Sequence, residues 1–316
     1  MGRVSFSVRG ARGRLGGAIV ATALVAVLYL FPTVHPDARR AAGNPGAASS
    51  RSEDGVRVWQ DLRYARGKNA KVDVYRSGPR RTGRIPGVLV VHGGAWSGGD
   101  KARMSSVSSR IARSGLVVYS VNYMLADSSR PGFPAQLRQL RSAVRWARRS
   151  SKRFGLDRSR IGALGTSAGG HLVSLLGTKG RGPLHEGARV RATVGWSAPL
   201  DLGPLTETQM ATSINIFLGC LSNPCPDRHA AASPMTHVSE DDSPMLIVNS
   251  RNELVPASQP RQMADRLSAA GVAHRLWLLS GSAHAMGYAD RALERTIAFL
   301  RRWLRGRAAV GPTRAR

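Results

Sequence analysis

The sequence predicts an α/β domain with a mostly parallel central sheet and helices on both faces. Short apolar stretches alternate with helix-like patterns from residue 85 to residue 304, and this alternation is typical of βα units around a parallel sheet. Residues 85–91 form a continuous apolar run, as expected of a strand buried on both faces. Of the 316 residues, roughly 250 remain for this domain once the two ends are set aside, a length suited to one large domain.

The apolar patterns locate the individual elements. Strands are predicted at residues 58–64, 70–75, 85–91, 116–121, 161–164, 190–197, 244–249 and 274–279. Helices are predicted at residues 102–114, 134–154, 171–176, 259–270 and 290–304, where apolar residues recur at helical spacing. An insertion at residues 203–238 follows the sixth strand in place of a crossover helix. We interpret it as a short cap.

The N-terminal part of the chain has the composition of an export or anchor segment. Residues 1–14 are basic, and residues 15–31 contain no charged residue. A basic flank before an apolar run predicts a cytoplasmic N-terminus with the remainder outside, either as a signal anchor or after cleavage of a signal peptide. Residues 32–55 are predicted to be a flexible linker and residues 56–304 the folded domain. The Arg-rich residues 305–316 are predicted to be a disordered tail.

The charge balance is strongly basic, with a formal net charge of +28. Such a charge favours attraction to anionic lipids, polymers or nucleic acid. The sequence has no nucleic-acid-binding motif, so no specific nucleic-acid partner is predicted. A solvated basic surface is the alternative interpretation. No metal site or cofactor is predicted, and the sequence does not indicate an oligomeric state.

The most informative stretch is residues 162–171, which contain the pattern G-x-S-x-G at residues 165–169. Ser167 lies between a predicted strand and a predicted helix. A tight strand-to-helix turn strains the serine backbone and leaves no room for side chains at the flanking glycines. The turn raises the hydroxyl above the sheet at a helix N-terminus, which indicates a nucleophile. The alternative is an ordinary Gly-rich helix start with Ser as its cap.

Three further polar groups follow predicted strands. Glycine pairs at residues 92–101 can expose backbone N–H groups, which suits them to bind a developing oxyanion. Residues 252–253 and His284 follow two later strands. Because parallel strands share one carboxyl edge, these groups are expected to meet there. Their order along the chain is oxyanion loop, serine, acid and histidine.

With these motifs the chain resembles the α/β-hydrolase superfamily. It is most similar to the esterase and lipase branch with a His-Gly-Gly-x-Trp loop, near the hormone-sensitive-lipase, BD-FAE and kynurenine-formamidase groups. The resemblance covers residues 56–304 and rests on residues 92–101, 122–123, 165–171, 232–234, 253–256 and 284. It implies that Ser167 is the nucleophile and His284 the general base. It also implies an oxyanion hole formed by the backbone N–H groups of Gly94, Ala95 and Ala168.

One position departs from the family pattern. The place usually occupied by Asp in D-x-x-V-P is Asn252 here, and Glu253 follows it. We predict that Glu253 is the acid, its longer side chain compensating for the offset of one residue. The alternatives are an acid from elsewhere, such as Asp201 or Asp290, and a weakened triad without an acid.

Several other residues have competing interpretations. Cys220 and Cys225 are predicted to form a local disulfide in an exported chain, with two free thiols as the alternative. His92 is expected to shape its loop, and His171 to be packed. Trp96 is predicted to contact substrate, with simple packing as the alternative.

The sequence therefore predicts a serine hydrolase of small-molecule carboxylic esters with small to medium acyl chains. It is expected outside the cytoplasm, attached to the membrane through residues 15–31 or secreted. One alternative is an amidase or arylformamidase. The other is a degenerate hydrolase fold that binds anionic surfaces.

Overall fold

The computed structural model describes residues 50–53, 55–78, 83–220 and 224–305. The predicted basic N-terminus 1–14, the apolar segment 15–31, most of the linker and the tail beyond residue 305 lie outside the described residues. Within the described residues, no helix has both the length and the apolar character that a membrane span requires.

A twisted sheet with the strand order β1-β2-β3-β5-β4-β6-β7-β8-β9 forms the centre of the domain. Strands β4 to β9 pair in parallel, and β1, β2 and β3 join the β5 side by antiparallel pairing. The strands are β1 (Ser50–Glu53), β2 (Val56–Arg63), β3 (Lys71–Ser77), β4 (Ile85–Val91), β5 (Val117–Val121), β6 (Leu156–Thr166), β7 (Thr193–Trp196), β8 (Met245–Ser250) and β9 (His274–Leu279).

Helices cover both faces of this sheet. They are α1 (Ser105–Arg113), α2 (Ala135–Arg149), α3 (Ser151–Phe154), α4 (Ala168–Thr178), α5 (Ala211–Leu218), α6 (Pro226–Ala232), α7 (Ser258–Ala269) and α8 (Ala289–Leu304). Short 3₁₀ turns lie at Lys101–Met104, Pro204–Glu207, Pro234–His237 and Ala285–Tyr288. The predicted α/β-hydrolase fold is thus confirmed.

Alternation along β4 explains how one strand supports two layers. Leu89 and Val91 pack with α2 and α4 on one face, whereas Val88 and Val90 pack with α1 and α8 on the other. Successive side chains of a strand point to opposite faces, so an unbroken apolar strand needs a helix layer on each side. The carboxyl ends of β4, β6, β8 and β9 are left free at one edge, where the polar motifs begin.

The linker and one helix differ from the sequence prediction, and the predicted insertion has short helices of its own. The sheet begins at β1, so part of the predicted linker 32–55 is an edge strand that pairs with β2. The helix predicted at residues 134–154 divides into α2 and α3, and Gly155 ends α3 with φ of +66°. The insertion at residues 203–238 contains the short helices α5 and α6 between two 3₁₀ turns.

Candidate active site

Ser167 lies on a strained turn between β6 and α4. Its backbone has φ of +52° and ψ of −121°, a conformation that costs a non-glycine residue free energy and persists only where the surroundings impose it. A Cβ at Gly165 would overlap the carbonyl of Gly169, and one at Gly169 would overlap the carbonyls of Val91 and His92. The two flanking glycines are therefore required by close backbone packing, as the motif predicts.

The loop after β4 packs against this turn. A Cβ at Gly93 would come within 3.1 Å of the Ser167 Cβ, so the loop backbone passes directly beside the serine. Gly94 and Ala95 both adopt positive φ, +127° and +49°. Ala168 is the first residue of α4, and the first N–H groups of a helix have no intrahelical partner. The predicted oxyanion donors Gly94, Ala95 and Ala168 thus belong to two segments that meet at Ser167.

A network of charged and amide side chains fixes the end of this loop. The Asn122 side chain accepts from the Lys101 backbone N–H at 2.6 Å and donates to Asp100 at 2.6 Å. The Lys101 ammonium lies 3.0 Å from Asp73 and 3.1 Å from Asp61. The Lys101–Asp73 pair is buried, and a buried ion pair needs several partners to offset desolvation. The loop is therefore tied to β2, β3 and β5.

Glu253 and His284 are in direct contact. The His284 Nδ1 is hydrogen-bonded to the Glu253 Oε2, and the Glu253 side chain has no exposed surface, whereas the His284 side chain is 29% exposed. A carboxylate can only accept, so Nδ1 carries the proton and Nε2 remains an acceptor. The ring is thus held in the tautomer that a general base requires.

The second oxygen of Glu253 is held by groups that the sequence did not reveal. The Ser197 hydroxyl donates to Oε1 at 2.8 Å, and the Ser250 backbone N–H donates at 3.0 Å. Ser197 Oγ also accepts from the Ala285 backbone N–H at 2.8 Å and lies 2.8 Å from the Tyr288 hydroxyl. Burial raises the pKa of Tyr288 well above its usual value, so this phenol stays protonated.

The same contacts connect the serine and histidine segments. The Ser167 N–H donates to the carbonyl of Trp196 at 2.7 Å. The next residue, Ser197, binds the N–H of Ala285, which follows His284. The segments that carry Ser167 and His284 are therefore linked through the carboxyl end of β7.

Asn252 and the alternative acids Asp201 and Asp290 have other partners. Asn252 is exposed, and its backbone N–H donates to Gly281. Asp201 accepts from the Gly203 N–H at 3.1 Å and from Ser233 at 3.3 Å. Asp290 pairs with Arg110 at 2.5 Å. Of the three carboxylates Asp201, Glu253 and Asp290, Glu253 is the one that is hydrogen-bonded to His284.

Trp96 and His171 form a buried pair beside the elbow. Both have 0% exposure. The Trp96 indole N–H donates to His171 Nδ1 at 3.1 Å, and the His171 Nε2 lies 2.8 Å from the Ala232 carbonyl. Burial lowers the pKa of His171 to about 4, so the ring is neutral near pH 7. Packing of His171 is confirmed, and the burial of Trp96 favours packing over direct substrate contact.

His92 shapes the loop in which it lies. Its ring stacks on Tyr123 at a centroid distance of 4.4 Å, and its Nδ1 lies 2.8 Å from the Gly93 carbonyl. The Tyr123 hydroxyl donates to the His92 carbonyl at 3.0 Å. Burial lowers the pKa of His92, which is consistent with a structural residue.

The insertion packs onto the oxyanion loop from outside. Phe217 of α5 stacks on Trp96 at a centroid distance of 4.8 Å. Directly after α5, the predicted disulfide joins Cys220 to Cys225 with a Cα separation of 6.0 Å.

In the part of the chain that the structure describes, no cluster of His, Cys, Asp or Glu could hold a metal ion.

The family model BD-FAE matches residues 72–267, more than half of the chain. Esterase LipC of Mycobacterium tuberculosis is 32% identical over 235 residues, which cover 70% of this chain and 58% of LipC. The probable carboxylic ester hydrolase LipM of the same organism is 26% identical over 249 residues, which cover 72% of this chain and 57% of LipM. The chain thus spans less than two thirds of either relative.

Solved structures agree in fold. A truncated carbohydrate esterase from gut microbiota superimposes with a TM-score of 0.71 at 22% identity, over 81% of this chain and 99% of that one. At this identity the likeness establishes the fold alone. The family model, the mycobacterial relatives and the elbow geometry lead to one conclusion: the chain belongs to the BD-FAE family and has the α/β-hydrolase fold.

Proposed function

We propose that this chain is a carboxylic-ester hydrolase that acts on small to medium acyl chains through an acyl-enzyme on Ser167. The observation that carries the proposal is the hydrogen bond between His284 and the buried Glu253. Ser167 lies on a strained elbow, and its segment is linked to that of His284 through the carboxyl end of β7. An imidazole held in this tautomer can take the serine proton through Nε2.

The residues divide the reaction into two steps. Ser167 Oγ attacks the ester carbonyl carbon while His284 takes its proton. The carbonyl oxygen becomes an anion that the N–H groups of Gly94, Ala95 and Ala168 stabilise, and such donors are each worth roughly 3 kcal/mol. The C–O bond then breaks as His284 passes the proton to the alcohol. Water activated by His284 hydrolyses the acyl-enzyme and restores Ser167.

The Glu253 carboxylate stabilises the imidazolium that forms in each step. This role counts against the alternative of a degenerate fold that only binds anionic surfaces, since a buried carboxylate aligned on a histidine serves no such surface. The mycobacterial relatives are named as an esterase and a probable carboxylic ester hydrolase. These names support hydrolysis of esters rather than of amides. Small to medium acyl chains are favoured because the insertion 203–238 is short.

A panel of p-nitrophenyl esters with acyl chains of graded length tests this function. We expect the highest kcat/KM for short and medium chains and no turnover above background for Ser167→Ala. A matched amide is expected to react far more slowly. Turnover of the amide in preference to the ester would favour an amidase instead.

The location of the domain is a separate proposal. The basic residues 1–14 and the apolar residues 15–31 support placement outside the cytoplasm, with a membrane anchor or after release. Protease treatment of intact cells that express the full chain tests it. Complete protection of the hydrolase domain until the membrane is lysed would contradict it.

A further inference from the structure

Two exposed apolar side chains flank the proposed catalytic pair. Leu254 is 39% exposed and Met286 is 37% exposed, and they are the exposed large hydrophobic residues of the part of the chain described here. Leu254 follows Glu253 directly, and Met286 lies two residues after His284. A single exposed leucine is ordinary, but the coincidence of both residues with one hydrogen-bonded pair asks for an explanation.

The backbone beneath these side chains is firmly held. Val255 and Ala285 are buried neighbours at 0% and 5% exposure. The Ala285 N–H donates to Ser197 at 2.8 Å, and the Val255 carbonyl accepts from the Asn249 side chain at 2.9 Å. Because Glu253 and His284 are joined by a hydrogen bond, the two segments meet. Leu254 and Met286 are thus exposed apolar residues on two firmly held segments that meet at His284, and they are called the rim residues below.

The reaction places the alcohol leaving group on the His284 side of the site. The carbonyl oxygen must face the N–H groups of Gly94, Ala95 and Ala168. The alcohol oxygen must lie within hydrogen-bond reach of the His284 ring, about 3 Å, because it receives the proton there. The carbon chain of the alcohol therefore starts next to His284, where the rim residues can cover it. Methionine adapts its shape to varied apolar groups.

We infer that Leu254 and Met286 form an apolar leaving-group subsite, so that, given the ester hydrolysis proposed above, the protein prefers esters of apolar alcohols to acetyl groups carried on sugars. In the step concerned, the bond from Ser167 Oγ to the acyl carbon forms and the bond from that carbon to the alcohol oxygen breaks. The proton of Ser167 passes through His284 to the departing alcohol. Burial of the alcohol's carbon chain against the rim lowers the energy of this transition state.

Three acetates with different alcohols test the subsite. Hexyl acetate and ethyl acetate share the acyl group and leave as alcohols of nearly equal acidity, so they differ in apolar surface. An acetylated xylooligosaccharide presents a sugar leaving group, which the exposed polar residues Asn252 and Ser282 would have to bind. We expect kcat/KM for hexyl acetate to exceed that for ethyl acetate by about tenfold or more, and the sugar acetate to be the poorest substrate.

Substitutions at the rim connect this preference to the two residues. In the double variant Leu254→Ser, Met286→Ser the ratio of hexyl to ethyl acetate is expected to fall at least about fivefold. The matched variant Leu254→Met, Met286→Leu keeps the rim apolar and should keep the ratio. Inhibition by hexan-1-ol should weaken in the serine variant, while circular dichroism and the melting temperature confirm that it folds.

The possible results distinguish a failure of the subsite from a failure of the proposed ester hydrolysis. Turnover of esters without a preference for hexyl acetate overturns the subsite alone. The same holds if the serine variant keeps the wild-type ratio, or if the sugar acetate is the best substrate. If no acetate is turned over and a fluorophosphonate does not label Ser167, the proposed function fails and the subsite with it.

Discussion

The His284 Nδ1 is hydrogen-bonded to the Glu253 Oε2, although Glu253 lies one residue beyond the place where the family pattern has its acid. Asn252, at that place, is exposed. The additional methylene of glutamate allows the carboxylate to reach the ring from the following position. The offset of one residue thus still leaves a carboxylate in contact with the histidine.

Replacing Glu253 should lower the rate far more than replacing its neighbour. Glu253→Gln keeps the shape but removes the charge that stabilises the imidazolium, and we expect kcat for a p-nitrophenyl ester to fall roughly 10²- to 10⁴-fold. Asn252→Ala is the matched control and should change kcat by less than about twofold. Equal activity of Glu253→Gln and wild type would rule out Glu253 as the acid.

Ser197 should affect turnover through its hydroxyl rather than through packing. Its backbone has φ of +50°, a conformation that glycine adopts more readily than alanine by about 1 kcal/mol. Ser197→Gly should therefore be more stable than Ser197→Ala. Both variants lack the hydrogen bond to Glu253 and should lose about tenfold in kcat with little change in KM.

Urea unfolding and steady-state kinetics on both Ser197 variants check this expectation. A purely structural role predicts that activity follows stability, with Ser197→Gly close to wild type. Wild-type kcat in the glycine variant would contradict a positioning role for the hydroxyl. Tyr288→Phe, which removes the phenol beside Ser197, should give a smaller loss in the same direction.

Gly169 should be irreplaceable at the elbow. The Cβ of Gly169→Ala would overlap the carbonyl oxygens of Val91 and His92 and push the oxyanion loop away from Ser167. We expect a loss of stability of about 1–3 kcal/mol and a loss of most activity. Gly83→Ala is the control, because a Cβ there has nothing within 4 Å. Thermal melts measure the stability and an ester assay the activity. A Gly169→Ala variant as stable and as active as Gly83→Ala would contradict the close packing.

The buried His171 should make the fold sensitive to acid. Burial lowers its pKa to about 4, against roughly 6.5 in the unfolded chain. The unfolded state therefore binds more protons between these values, so stability present above pH 6.5 is lost as the pH falls towards 4. The loss attributable to this ring is at most about 3 kcal/mol.

Comparison with His171→Gln isolates the contribution of this histidine. An amide can accept from the Trp96 indole and donate to the Ala232 carbonyl without titrating. Asp242, whose pKa burial raises to about 6, acts in the opposite direction because its folded form binds the additional proton. Both wild type and His171→Gln contain Asp242, so its contribution cancels in the comparison. The free energy of unfolding of wild type minus that of His171→Gln should fall as the pH is lowered from 7 to 4.5. A constant difference would contradict a neutral, buried His171.

Local patterns in the sequence predicted the parts of the site that belong to single segments. The G-x-S-x-G turn, the order of motifs along the chain and the cysteine pair each depend on residues close together in sequence. Ser197, Ser250 and Tyr288 could not be found in this way. Ser197 follows β7 and Ser250 ends β8, and both donate to Glu253, whereas Tyr288 contacts Ser197 from the turn before α8. Only the strand order brings these segments together.

The burial of Trp96 and the edge strand β1 also depend on contacts between different segments of the chain. The exposure of Trp96 depended on where the insertion packs, and no local pattern predicts that Phe217 covers the indole. The edge strand β1 lacks alternating apolar residues, since it consists of Ser50–Glu53. The strand is formed by backbone pairing with β2, which no apolar pattern in the sequence indicates.

Intact-mass measurement after treatment with a fluorophosphonate tests most directly whether Ser167 is an activated nucleophile. We predict one covalent adduct per chain, located on the peptide that contains Ser167, absent in Ser167→Ala and formed much more slowly in His284→Ala. An unmodified protein, or an adduct on a different serine, would contradict the account.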